Sequence, residues 1–229
     1  MGHLQENLGR VRQRIRDAAM RAGREPEAIR LLAVTKTVPV EQIQEVVDAG
    51  VDLLGENRVQ ELLAKHRQVR GSVRWHMIGT LQTNKVKYIY DKVDLIHSLD
   101  RLSLAQAINR YAARLGRPID CLVEVNVAGE KSKHGVDRRD LISFIRDVTA
   151  FEGIHIRGLM TMAPYVDDPE ETRPFFRDLY HLSREVDELG LQRVEMRHLS
   201  MGMSNDFEVA VEEGATIVRI GSSLFGGRS

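Results

Sequence analysis

Apolar positions along this chain follow two textures that alternate. Leu4, Leu8, Val11, Ile15 and Ala19 recur three or four residues apart and predict an amphipathic N-terminal helix, with the arginines at 10, 12, 14 and 16 solvated. Beyond it, apolar runs of strand length recur: Ile29 to Thr35, Val51 to Leu54, Arg74 to Gly79, Val93 to Ser98, Ile119 to Val127, Ile154 to Met160, Val194 to Leu199 and Thr216 to Ile220. Helical patterns fill the gaps at Pro39 to Ala49, Arg58 to Gln68, Asn84 to Tyr90, Arg101 to Leu115, Arg138 to Ala150, Pro169 to Leu189 and Asn205 to Glu213. Pro39 suits a first helical turn, and Gly50, Gly116, Gly190 and Gly214 each come after a helix where a left-handed cap is expected. Strict alternation predicts a parallel sheet, and eight units predict closure into a (β/α)8 TIM barrel, with a doubly wound open sheet as the alternative. About nine residues remain after the eighth run, too few for another outer helix, so the N-terminal helix is expected in that place. No Pro/Gly/Ser-rich linker or tandem repeat interrupts the pattern, and a single domain over 1–229 is expected.

Composition narrows the partners. The 229 residues carry 33 basic and 33 acidic side chains, so no net field draws the chain to nucleic acid or an anionic membrane, and any anion must be held locally. Cys121, the one cysteine, excludes an intramolecular disulfide and a Cys-rich zinc site, and with Leu122 and Val123 beside it a buried, inert thiol is expected. The histidines show no metal-ligand spacing. No apolar run reaches the roughly 20 residues of a membrane span, and no signal-peptide core is present, so a cytoplasmic protein is expected. Met1-Gly2 lacks the Ser or Thr that myristoylation wants at position 6, where Glu6 stands.

In a (β/α)8 barrel chemistry sits at the C-terminal ends of the strands, and here those ends are polar. Lys36 closes the first run, Glu56-Asn57-Arg58 the second, Glu124 and Asn126 the fifth, Met160-Thr161 the sixth, and His198-Leu199-Ser200 the seventh. Lys36 is a candidate nucleophile, since apolar walls around it would favour the neutral amine that attacks an aldehyde; it could equally neutralise a carboxylate such as Glu56 or Glu124. Arg219-Ile220-Gly221-Ser222-Ser223 has the glycine and hydroxyls of an anion cradle, and Ser200 falls in the partner loop that completes phosphate sites in this fold. Ser204 reads as a helix N-cap. A Schiff-base lysine and a phosphate site at one barrel mouth form the arrangement that pyridoxal phosphate requires. His76 reads first as a core residue and second as a base, and Lys131-Ser132-Lys133-His134-Gly135 as a solvated loop in preference to a lid.

Longer motifs carry a resemblance. Ala33-Val34-Thr35-Lys36, Leu54-Gly55-Glu56-Asn57-Arg58-Val59-Gln60-Glu61, Trp75-His76-Met77-Ile78-Gly79-Thr80-Leu81-Gln82-Thr83-Asn84-Lys85, Gly158-Leu159-Met160-Thr161-Met162, Leu199-Ser200-Met201-Gly202-Met203-Ser204-Asn205-Asp206-Phe207 and Val218-Arg219-Ile220-Gly221-Ser222-Ser223-Leu224-Phe225-Gly226 together resemble the YggS/PROSC group of pyridoxal phosphate homeostasis proteins. The resemblance implies a barrel like the N-terminal domain of fold-type III enzymes such as alanine racemase. It implies that Lys36 holds pyridoxal 5'-phosphate as a Schiff base and that Ser200, Gly221 and Ser222 hold its phosphate. Arg219 would face the ring nitrogen, and Asn57 and Met160 would line the ring pocket. A guanidinium there disfavours ring protonation and weakens the cofactor as an electron sink, so the resemblance implies a carrier that buffers or delivers the cofactor, with PLP-requiring apo-enzymes as partners, rather than an enzyme.

Two other readings stay open. A racemase-like enzyme would need an opposing acid or base, for which His76 and Tyr165 are the only candidates; a class I aldolase would use Lys36 on a sugar phosphate. Without the β-rich second domain of the racemases, a monomer is expected.

Overall fold

The structure, a computed structural model, describes residues 2–130 and 134–226. Helix α1 (Gly2–Arg21) opens the chain and buries Leu8, Val11, Ile15, Ala18 and Ala19 along one stripe, as its periodicity requires. Next come β1 (Arg30–Val34), α2 (Val40–Asp48), β2 (Leu53–Glu56), α3 (Val59–His66), β3 (Arg74–Met77), α4 (Val86–Ile89), β4 (Leu95–Leu99), α5 (Leu102–Leu115) and β5 (Ile119–Asn126). The rest of the chain supplies β6 (Val136–Asp137), α6 (Leu141–Val148), β7 (Ile154–Met160), α7 (Arg173–Glu188), β8 (Val194–Met203), α8 (Phe207–Glu212), β9 (Ile217–Ile220) and α9 (Ser222–Phe225).

Every pairing between these strands is parallel. The order β4-β3-β2-β1-β9-β8-β7-β5 is closed by β4 pairing with β5, which makes an eight-stranded barrel surrounded by helices; β6 is a two-residue addition on β5. The open-sheet alternative is thereby excluded. Helix α1 packs on α2, α8 and α9, and so covers the outside of the barrel where the first and last strands meet. Alternate strand residues feed two apolar regions. One lies under the helices; the other, Leu32, Val34, Leu53, Leu95, Leu122, Met160 and Ile217, plugs the barrel.

The capping glycines at 50, 116, 190 and 214 all take positive φ, as their positions after helices predict. Elsewhere the elements depart from the periodicity for local reasons. Helix α6 begins at Leu141 and not Arg138, because the Asp137 carboxylate accepts the Arg139 N–H at 2.9 Å and turns the chain first. Strand β8 runs on to Met203, four residues past the apolar run. At Gly158 the β7–β8 register shifts, and a Cβ there would lie 1.8 Å from the His198 carbonyl oxygen, so only glycine admits the close approach. Among the described residues no helix is long and apolar enough to cross a membrane, and no three His, Cys, Asp or Glu side chains group as a metal site.

Candidate functional site

Lys36 stands two residues beyond the end of β1, in a turn held from beneath. Thr35 is fully buried, Lys36 and Thr37 are exposed, and Thr37 has φ 61°, an uncommon value for a β-branched residue. The turn is clamped by α3. Lys65 Nζ donates to Thr35 O at 2.6 Å, to Glu56 Oε1 at 2.7 Å and to Glu61 Oε2 at 3.1 Å, while the Thr37 N–H donates to Glu61 Oε2 at 2.8 Å. The Thr35 hydroxyl adds a bond of 2.6 Å to Glu56 Oε1. Burial holds Glu56 above the usual carboxylate range against the hydrogen bonds from Lys65 and Thr35. In Glu61 the partial burial is outweighed by the Thr37 N–H and Lys65, which hold its carboxyl below that range. Two expectations about Lys36 are corrected: it is exposed rather than enclosed by apolar walls, and it does not neutralise Glu56, because Lys65 does. No carboxylate among the described residues lies within ion-pair distance of Lys36.

The other side of the mouth is built where β8 meets β9. Ser200 pairs with Ile217 and Met203 with Arg219, so three steps on β8 oppose two on β9 and the strand bulges. Gly202, with φ 89°, sits in that bulge, where a Cβ would come within 2.5 Å of Ala210 Cβ. The extra residue brings Ser204 to the end of β9, and its Oγ accepts the N–H of Gly221 at 3.3 Å and of Ser223 at 3.2 Å. Ser204 is therefore not the helix cap that its position suggested; Asp206 precedes α8, and its Oδ1 accepts the Met203 N–H at 2.6 Å. Gly221 in turn lies against Val34, the last residue of β1.

Below this rim a chain of buried polar groups crosses the barrel. Arg219 donates from Nη1 to Ser200 Oγ at 2.7 Å and from Nη2 to Thr161 O at 2.9 Å; Ser200 Oγ lies 3.0 Å from His97 Nδ1, and His97 Nε2 lies 2.8 Å from His76 Nδ1. Burial lowers Arg219 to about 10, opposed by Asp206 and Glu124, so it stays cationic at neutral pH. Burial, with Arg30 and His198 nearby, lowers His76 to about 3, and burial with His76 and Arg219 holds His97 well below the usual imidazole value. Both rings are neutral. Ser200 is thus committed beneath Arg219, fully buried, and among the described residues makes no side-chain hydrogen bond to the Gly221–Ser223 segment that Ser204 joins. His76 is an interior residue bonded to His97, and Tyr165 is 87% exposed, so the structure aligns neither as an opposing base.

Met160 is buried in the barrel plug, and Asn57 comes just after β2 with its Oδ1 buried and unpartnered among the described residues. Glu124 Oε2 and Asn126 Oδ1, on β5, are buried and unpartnered in the same sense. Burial and Asp100 push Glu124 up to about 7, against the lowering field of Arg219. Orphaned acceptors cost free energy in a dry interior, and their gathering at strand ends fits a polar ligand. The Gly221 turn, with its N–H groups facing the Ser204 hydroxyl and the cationic Arg219 two residues earlier on β9, fits an anionic one. Residues 131–133 of the basic loop after β5 lie outside the described residues.

His97, Lys65 and Glu61 were not singled out by the sequence. Lys65 had left a signal, because with Val59 and Leu62 it occupies the buried stripe of α3, where a lysine must find partners.

The family described as "Alanine racemase, N-terminal domain" matches residues 6–229. Barrel and matched residues define that class of domain. A "Pyridoxal phosphate homeostasis protein" of Aquifex aeolicus (strain VF5) is 49% identical over 227 residues, 97% of either chain. A solved structure from Bifidobacterium adolescentis superposes with a TM-score of 0.91 at 36% identity, covering 97% of this chain and 94% of the other. PipY of Synechococcus elongatus PCC7942, solved with PLP bound, gives a TM-score of 0.83 at 33% identity over 98% of this chain and 100% of that one. Within the class, the chain belongs to the family of pyridoxal phosphate homeostasis proteins, the YggS/PROSC group.

Proposed function

We propose that this protein binds pyridoxal phosphate and serves its homeostasis, keeping the reactive aldehyde low and releasing it to apo-enzymes. The observation that carries the reading is the seam between β1 and β9, where Lys36, exposed and without an ion-pair partner among the described residues, follows β1, and a Ser204–Gly221–Ser223 cluster follows β9 above the buried Arg219. Lys36 is the residue that captures the cofactor. Gly221, Ser222, Ser223 and Ser204 hold the phosphate, a role that passes from Ser200 to Ser204 because Ser200 is committed to Arg219. Asn57 and Met160 line the ring, and Arg219 meets its nitrogen. When bound, pyridoxal phosphate supplies an aldehyde that a lysine amine takes up reversibly, with release of one water.

A guanidinium that is still charged at neutral pH opposes protonation of the ring nitrogen. The chain's own residues therefore bind and orient the cofactor without making it a strong electron sink, which favours carriage over catalysis. The monomer is the working unit.

The test is the absorbance spectrum of the purified protein with added pyridoxal phosphate, before and after borohydride, with peptide mass to locate the reduced adduct. A visible band lost on reduction and a pyridoxyl mass on Lys36, both absent in a folded Lys36→Ala variant, are the expected results. A protein that takes up no pyridoxal phosphate overturns the reading, and a Lys36-bound sugar phosphate then becomes the leading alternative. Sedimentation at working concentration tests the monomer.

A further inference from the structure

Two lysines share the corner at the end of β1, and they differ in what their amines can do. The three N–H bonds of Lys65 Nζ point at three acceptors, Thr35 O, Glu56 Oε1 and Glu61 Oε2, at 2.6, 2.7 and 3.1 Å. An ammonium saturated in this way has no lone pair to offer a carbonyl. Two of these acceptors engage the turn that carries Lys36: Thr35 O is its backbone one residue before it, and Glu61 Oε2, on α3, also receives the N–H of Thr37 one residue after it, at 2.8 Å. The turn needs such support, since Thr37 sits at φ 61° and an isolated β-branched residue leaves that region readily.

We infer that Lys65 and Glu61 are positioning residues that fix the backbone on both sides of Lys36 and so present its amine to a bound aldehyde. The inference rests on the proposed function. It assigns Lys65 as the strut and Lys36 as the reagent, and it explains why a cationic side chain is buried on α3 immediately beneath the mouth. The proposed phosphate-holding cluster lies just past the ends of β8 and β9 and, among the described residues, shares no hydrogen bond with this clamp. Loss of the clamp therefore separates two quantities: how much cofactor is held, and how much of it is joined to Lys36.

The experiment uses Glu61→Ala, a change at a partly exposed helical position, and the double variant Lys65→Met/Glu56→Gln, which avoids a buried carboxylate without its cation. Each is loaded with pyridoxal phosphate beside the wild type, with circular dichroism checking the fold. Total bound cofactor is measured after release by denaturation, and the joined fraction by borohydride fixation and peptide mass. Total binding is expected to stay within a factor of two or so while the joined fraction falls roughly tenfold, the scale of a misplaced reacting group. A wild-type joined fraction in both variants, a parallel fall of both quantities, loss of folded protein in both, or a pyridoxyl mass on Lys65 overturns the inference while the proposed function stands. A wild type that takes up no pyridoxal phosphate removes the function and the inference together.

Discussion

Arg219 Nη1 donates to Ser200 Oγ at 2.7 Å, joining adjacent strands through two side chains that are both buried inside the barrel. That bond and the contact from Ser200 to His97 at 3.0 Å make one hydroxyl the junction of the interior network. Ser200→Ala leaves a buried guanidinium N–H and a ring nitrogen short of a partner, and is expected to cost about 1–3 kcal/mol in urea unfolding. A loss below about 0.5 kcal/mol would show that the junction contributes nothing to the fold.

Glu124 gives stability a pH dependence of defined sign. The folded chain keeps this proton to about pH 7, whereas a free glutamate gives it up near 4.5. The native state thus binds more protons across that window, and the contribution of Glu124 makes stability fall as pH rises from 4.5 through 7, then level off. Glu124→Gln removes the contribution: the variant should match the wild type near pH 4.5 and exceed it by up to about 3 kcal/mol at pH 8. Urea titrations at the two pH values check this, and a pH-independent difference would refute it.

Gly158→Ala tests the register of the sheet. A Cβ there meets the His198 carbonyl oxygen at 1.8 Å with φ at 148°, so β7 and β8 must separate or the residue must refold locally. A loss of about 3 kcal/mol or more is expected, or failure to accumulate folded protein. A wild-type melting temperature would mean that the strands do not approach as described.

Cys121 has no exposure, and burial together with Asp120 raises its thiol far above the ordinary range. The folded protein should leave a chromogenic disulfide reagent unreacted and titrate one thiol on denaturation. Rapid reaction of the native protein would contradict the packing of β5.

The strand count was legible because each barrel strand carries its own apolar run and the helices α2, α5, α7 and α8 are each followed by a glycine at positive φ. The run at 194–199 ended too early because its continuation, Ser200 to Met203, bulges around a glycine and mixes polar with apolar side chains. The same bulge decides which serine reaches Gly221, an effect of one inserted residue that periodicity does not register. Lys36, Gly221 and Arg219 stood out because they close strands. His76 and His97 pair across two strands, 21 residues apart, and nothing local in either run announces the contact. The pairing of Lys65 with Glu56 is nine residues apart but spans a strand and a helix, so only the stripe position of Lys65 betrayed it.

The closure of the barrel has a bearing on synthesis. Arg30 is in register with Ile217, so β1 waits for β9, and the lysine and the glycine turn of the mouth belong to segments far apart in the sequence. Pairing over such a separation is slow compared with local contacts and needs the intervening units already formed. A nascent chain whose β9 has not yet emerged leaves β1 without its partner strand on that side. On the proposed function, capture of the cofactor therefore waits until β9 has docked on β1 and brought the Gly221 turn against Val34.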